Sequence, residues 1–277
     1  MVLISSLLLF SAVAVAVPAP TPTPTPVKSH DHGNHSTTAE KNKPWNAGAV
    51  PQYPIHESCN ATQRRQIEAG LNETILLANH AKDHILRWGN DSSIYRKYFG
   101  DRPSIEAIGA YDIVVNGNKD GVLFRCDNPD NNCELEGWAG HWRGENATSE
   151  TVICEMSYHT RRYLTTMCAM GYTVAGSDIA TFWAADLLHR LYHVPAIGQL
   201  HVDHFADSFE EVIDLAKSNK TESTRDSETL QLFALEAYAY DISVPGVGCA
   251  GESHVDEEEE DVPENCHTHD GGVLHCT

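Results

Sequence analysis

His189-Arg190-Leu191-Tyr192-His193 sets two imidazoles at i and i+4. On a helix they share one face, at the separation that two facial zinc ligands need. Spacing alone is weak, because 16 histidines in 277 residues make roughly one such pair expected by chance. His80 and His84 form a second pair that is just as well spaced, and it reads as an ordinary helix face sooner than as a metal site. The neighbourhood sets His189/His193 apart. Phe182, Trp183, Leu187 and Leu188 mark a buried helix, and His201, Asp203, His204 and Asp207 follow within 14 residues. A third ligand from a nearby turn completes a zinc site.

In zinc peptidases the residue after the first histidine is a glutamate, which takes the proton from the metal-bound water. Here that position is Arg190, whose guanidinium stays protonated near neutral pH. The usual base is therefore missing, and an ion pair with Asp186, four residues earlier, accounts for the arginine. Asp203, Asp207 or a nearby glutamate are candidate substitutes, with none marked as aimed at a water. Nucleophile motifs of the G-x-S-x-G kind and Gly-rich phosphate loops are absent from the sequence.

A second constellation closes the chain. Cys266-His267-Thr268-His269 and His275-Cys276 put three histidines and two cysteines within 11 residues, after six consecutive acids at 256–261. In an oxidising compartment Cys266 and Cys276 are expected to close a disulfide loop, which presents His267, His269 and His275 together to zinc or copper. The acidic run raises the local cation concentration, an effect that salt weakens.

The elements that must position these groups follow from periodicity and punctuation. Residues 60–89 carry Ile67, Leu71, Ile75, Leu76, Ile85 and Leu86 at helical spacing and stop at Gly89. GVLFRC at 121–126 and TVICEMSY at 151–158 read as strands between turn residues. DIATFWAADLLHRLYHVP reads as a helix ended by Pro195, and SFEEVIDLAKSN and ETLQLFALEAYAYDI read as two more. EGWAGHW, with Trp138, His141 and Trp142, lines a cleft or joins the core. Together these predict one α+β domain of roughly 190 residues with flexible ends. The organisation expected is a signal peptide at 1–16, a Pro/Thr- and His-containing linker at 17–58, a metal-binding domain at 59–250 and an acidic His/Cys-rich tail at 251–277.

Composition bounds the rest. A net charge of −20 excludes nucleic acid as a partner, since phosphate binding needs the opposite sign. The apolar run Leu7–Phe10 with small residues at 14–16 reads as a secretory leader and is too short to span a bilayer. Eight cysteines and six N-x-S/T sequons (Asn34, Asn60, Asn72, Asn90, Asn146, Asn219) agree with a secreted, disulfide-bonded glycoprotein.

HRLYH, the following VDHFAD, the run LQLFALEAYAYDISVPGVGC and the terminal CHTHDGGVLHC closely resemble the fungal HRxxH family of secreted antigens and allergens, from about Cys59 onward. That family is similar to deuterolysin-type (aspzincin) metallopeptidases. The resemblance implies a mainly helical, zincin-type α+β fold with a small sheet. It implies a Zn2+ site of His189 and His193, with His204 where those peptidases have an aspartate ligand and Asp203 as the alternative. The tail histidines make a second site. It further implies disulfides Cys59–Cys126, Cys133–Cys154 and Cys168–Cys249, leaving Cys266–Cys276 for the tail. The implied role is a zincophore-like scavenger without peptidase activity, extracellular or associated with the cell wall. Its implied partners are a cell-surface zinc transporter and host extracellular proteins. Imidazole must be neutral to ligate, so such a scavenger works above a pH of about 6.5.

Overall fold

Asn60 starts the long first helix by a reciprocal cap: its side chain accepts from the Thr62 and Gln63 amides while the Gln63 side chain accepts from the Asn60 amide. The chain is seen in a computed structural model that describes residues 43–218 and 221–252, together with the backbone of two tail strands. Helix α1 (Ala61–Trp88) ends at Gly89, whose positive φ of 49° suits a residue without a side chain. Its inward face carries Ile67, Leu71, Thr74, Leu77, Ala78, Ala81 and Ile85, three or four residues apart from turn to turn, which gives one buried stripe.

Two helices follow, α2 (Ser93–Phe99) and α3 (Ile105–Asn116). A three-stranded sheet is then laid down by β1 (Leu123–Arg125), β2 (Gly140–Trp142) and β3 (Glu150–Ile153), in the order β1-β3-β2. β3 runs parallel to β1, with Phe124 beside Thr151, and antiparallel to β2, with His141 beside Val152. TVICEMSY is not one strand. β3 stops at Ile153, and Glu155–Thr160 turn into α4, because the β-branched residues that favour a strand end there. Upstream of Cys59, Tyr53 is buried and Ile55 pairs with Phe124, so the packed chain reaches back into the Pro-containing segment.

The remaining helices are α5 (Trp183–His193), α6 (Pro195–Gly198), α7 (Phe209–Lys217) and α8 (Ser227–Tyr238). Pro195 does more than stop α5; it occupies the first turn of α6, where a missing amide hydrogen goes unfelt. α8 is the central rod, with every residue from Ser227 to Ala237 buried. It packs against α1, α2 and α5, and leads into a π-helical turn at Ala239–Ser243. α1 and α5 come close at Gly70, where a Cβ would lie 2.9 Å from Leu187 Cδ1.

Among the described residues three disulfides staple the fold: Cys59–Cys126, Cys133–Cys154 and Cys168–Cys249. The last ties the loop before α5 to the exit from α8 and spans 81 residues. In a chain-entropy account it stabilises by about 4.5 kcal/mol. In the tail, β4 (Cys266–His269) and β5 (Val273–Cys276) pair antiparallel, setting Cys266 opposite Cys276 and His267 opposite His275. The side chains of His267, His269 and His275, and the expected Cys266–Cys276 bond, lie outside the described residues.

Candidate metal centre

α5 buries Trp183, Leu187, Leu188 and Leu191 against the core, and this fixes its rotation so that His189 and His193 leave from one side. After α6, Gln199 and Leu200 take left-handed φ values of 56° and 54° and turn the chain back. Asp203 then forms a short backbone bridge with the residues around Asp226: its amide donates to the Arg225 carbonyl and its carbonyl accepts from the Ser227 amide.

Asp226 finishes the join. Its carboxylate accepts from the amides of Phe205, Ala206 and Thr229 and from the Thr229 hydroxyl, so one side chain caps α8 and holds the loop that carries His204. Burial, aided by the nearby charge of Glu228, pushes the Asp226 carboxyl up to about 7 against the hydrogen bonds it accepts.

The result is a cluster of three rings. His189 Nε2 lies 3.0 Å from His193 Nε2, which lies 3.1 Å from His204 Nε2. Behind them is Glu228, buried in the first turn of α8. Its Oε1 is 3.2 Å from His189 Nδ1 and its Oε2 is 3.1 Å from His204 Nδ1. A carboxylate there draws the proton of each ring to Nδ1, which leaves Nε2 as the acceptor on the side where the rings converge. Trp142 stacks on His193, with ring centres 6.4 Å apart and planes 10° from parallel.

The electrostatics follow from burial and charge. Burial, with the neighbouring histidines adding to it, holds His193 well below the usual imidazole range. Burial would also lower His204, but Glu228 and Asp207 outweigh it and lift the ring to about 10. Glu228 is the reverse case: burial raises a carboxyl, yet His204 and His189 hold it well below its ordinary value. A His204 ring raised in this way carries a proton on each nitrogen at neutral pH, so its Nε2 can donate to His193 Nε2 until that proton leaves.

The donor set suits zinc. Zn–N bonds of about 2.0–2.1 Å in a tetrahedron put neighbouring nitrogens about 3.3 Å apart, close to the 3.0 and 3.1 Å seen here. Three nitrogens leave one position of a tetrahedron to water or another ligand.

The other residues singled out by sequence lie elsewhere. Asp203 is exposed, and its carboxylate accepts from the backbone amide of His204 at 2.9 Å instead of joining the rings. His201 is exposed, 3.7 Å from Glu106, and Asp207 Oδ1 is 3.6 Å from His204 Nδ1. Arg190 is buried and grips Asp186 with two bonds, of 2.8 and 3.1 Å, while Arg161 reaches the same carboxylate at 3.4 Å. β2 lies against this guanidinium: a Cβ on Gly140 would sit 2.7 Å from Arg190 Nη1. Sequence reasoning passed over Glu228 and Asp226. An acidic pair at the start of a helix is what any exposed N-terminus carries, and only burial reveals its work here.

A family model described as "HRXXH: Putative peptidase family" matches residues 5–252. Major allergen Asp f 2 of Aspergillus fumigatus is 64% identical, over 84% of this chain and 87% of its own length. The pH-regulated antigen PRA1 of Candida albicans is 50% identical, over 75% of this chain and 70% of its own. Among solved structures, a zinc peptidase from Grifola frondosa superposes with a TM-score of 0.49 at 13% identity, over 65% of this chain and 99% of that one.

Proposed function

The chain belongs to the HRXXH family, and from that premise we propose that it is an extracellular zinc-binding protein that captures the ion and hands it on, and not a peptidase. One observation carries the reading: His193 Nε2 lies 3.0 and 3.1 Å from the Nε2 atoms of His189 and His204, and the buried carboxylate of Glu228 stands at the opposite nitrogen of those two rings. His189, His193 and His204 are the ligands, and zinc is the cargo. Ligation requires the proton held by His204 to leave, so uptake is coupled to proton release.

The arginine supports the second half of the proposal. Arg190 stands where a zinc peptidase has its base, and its guanidinium is committed to Asp186. Glu228 is engaged by two histidines and Asp226 by four donors, so neither carboxylate is poised to activate a water. The tail histidines His267, His269 and His275 form a second zinc-binding set, a reading supported by the register that pairs His267 with His275. The names of the relatives, an allergen and an antigen, support an extracellular or surface location. Among the described residues no helix is long and apolar enough to cross a membrane.

The test is zinc stoichiometry and exchange on full-length protein purified near neutral pH, with a peptidase assay beside it. His193→Ala is expected to remove one equivalent, and the parent's zinc is expected to pass to a chelating acceptor. An unchanged stoichiometry in His193→Ala refutes the site. Zinc-dependent cleavage of a denatured protein, lost in His193→Ala, establishes hydrolysis in place of capture.

A further inference from the structure

The histidine pair on α1 that spacing alone left without a partner acquires one from the far end of the domain. His80 and His84 stand one turn apart on α1, and Asp241 arrives from the π-helical turn after α8, more than 150 residues later in the chain. Asp241 Oδ2 is 2.9 Å from His80 Nε2 and 2.6 Å from His84 Nδ1. We propose that His80, His84 and Asp241 form a further divalent-cation site, built for zinc and separate from both the three-histidine centre and the tail histidines.

Four features carry this. The donor set is two imidazoles and a carboxylate, a combination that zinc uses with water as a fourth ligand. Asp241 Oδ2 already meets both rings, and zinc bonds of about 2.0–2.1 Å place neighbouring donors about 3.3 Å apart, so these two contacts need to open by only about half an ångström. The rings are held: His80 sits edge-on to Tyr238 with centres 5.7 Å apart, and His84 edge-on to Phe233 at 5.8 Å. Finally, Asp241 is presented by a widened helical turn, a local irregularity frequent at functional sites.

The depth of the site is graded. The His84 side chain is 4% exposed, whereas His80 and Asp241 are 19% and 23% exposed. One ligand is therefore fixed in the core and two stand at a mouth open to water. His84 Nε2 lies 2.7 Å from Ser92 Oγ, a partner for the nitrogen that does not face the ion. Serine, histidine and aspartate thus stand in the order of a hydrolytic triad. Ser92 is buried, however, and its oxygen caps α2 by accepting from the Tyr95 amide, which suits it to hold the ring and not to attack a substrate.

The experiment uses full-length protein stripped of metal and titrated with Zn2+ against a chromophoric chelator, in the parent and in a His193→Ala background. His80→Ala and Asp241→Asn are each expected to lower the stoichiometry by one in both backgrounds. In His193→Ala, adding His80→Ala is expected to shrink the zinc-induced rise in Tm. His80 lies at the rim, so far-UV circular dichroism is expected to match the parent; if Asp241→Asn does not fold, His80→Ala alone decides. A stoichiometry and a zinc-induced Tm rise unchanged by His80→Ala overturn the proposal, and leave the trio as a hydrogen-bonded clasp between α1 and the end of α8. The His193→Ala result reads the three-histidine centre separately, so the two proposals fail independently.

Discussion

Glu228→Gln changes one charge and almost no volume at the point where two of the proposed ligands, His189 and His204, are oriented. The carboxylate pairs with Nδ1 of both His189 and His204, at 3.2 and 3.1 Å. A carboxamide offers one oxygen and one NH2 group. It can accept from one ring but must donate to the other, which then carries its proton on Nε2, where the metal belongs. Only two of the three nitrogens remain correctly prepared, and the third must shift its tautomer or turn away. Outer partners of metal-bound histidines are worth 10–100-fold in affinity, or about 1.4–2.7 kcal/mol, and two rings share this one. The expected loss in zinc affinity is therefore at least about 10-fold and nearer the top of that range. Competition titration against a chelator of known affinity reads it directly, with His193→Ala as the reference for a missing ligand. Zinc affinity within about twofold of the parent, in a variant with unchanged circular dichroism, would refute the claim that Glu228 prepares the site.

Stability of the metal-free protein has a pH dependence of known sign. His204 is raised from about 6.5 when unfolded to about 10 when folded, so its contribution is complete below about 6.5 and is lost as pH rises through about 10. Tm of stripped protein is expected to fall across that window, and Glu228→Gln to flatten the fall; a flat profile in the parent would count against the His204–Glu228 pair. Arg190→Glu removes a buried bidentate pair and sets a second carboxylate against Asp186. A loss of about 3–5 kcal/mol is expected from denaturant melts, with no gain in peptide cleavage. Asp226→Ala strips the α8 cap and four donors of their acceptor. It is expected to cost about 2–4 kcal/mol and to weaken zinc binding as well, because the His204 loop loses its anchor; a stability loss with unchanged affinity would separate the two roles.

Local chemistry was legible in the sequence wherever the cause was local. Asn60 and Gly89 delimit α1 as read, because a cap and a left-handed residue act within a turn of themselves. His189 and His193 stood out by spacing, nearness to them offered His201, Asp203, His204 and Asp207 alike, and the family resemblance put His204 ahead of Asp203. α3 escaped notice: Ile105–Asn116 is apolar on several faces and contains Gly109, so it has no clean stripe. β2 was missed because Gly140–Trp142 is three residues long and borrows its conformation from β3. Glu228 and Asp241 were out of reach for a different reason. Each becomes informative only when the chain returns to helices laid down much earlier, and no pattern within α8 or the turn after it records that meeting.

The short bridge between Asp203 and Asp226 has a thermodynamic consequence. It makes the His204 loop and the start of α8 a single body, so the third nitrogen and the carboxylate behind it are positioned together before any ion arrives. Immobilising backbone costs about 1–2 kcal/mol per residue in conformational entropy. In an unstructured peptide carrying the same three imidazoles, that entropy would be lost at the moment of binding and subtracted from the affinity. Here the backbone bridge and the Asp226 cap absorb part of that cost in folding, because the contacts that order the loop are made within the protein itself.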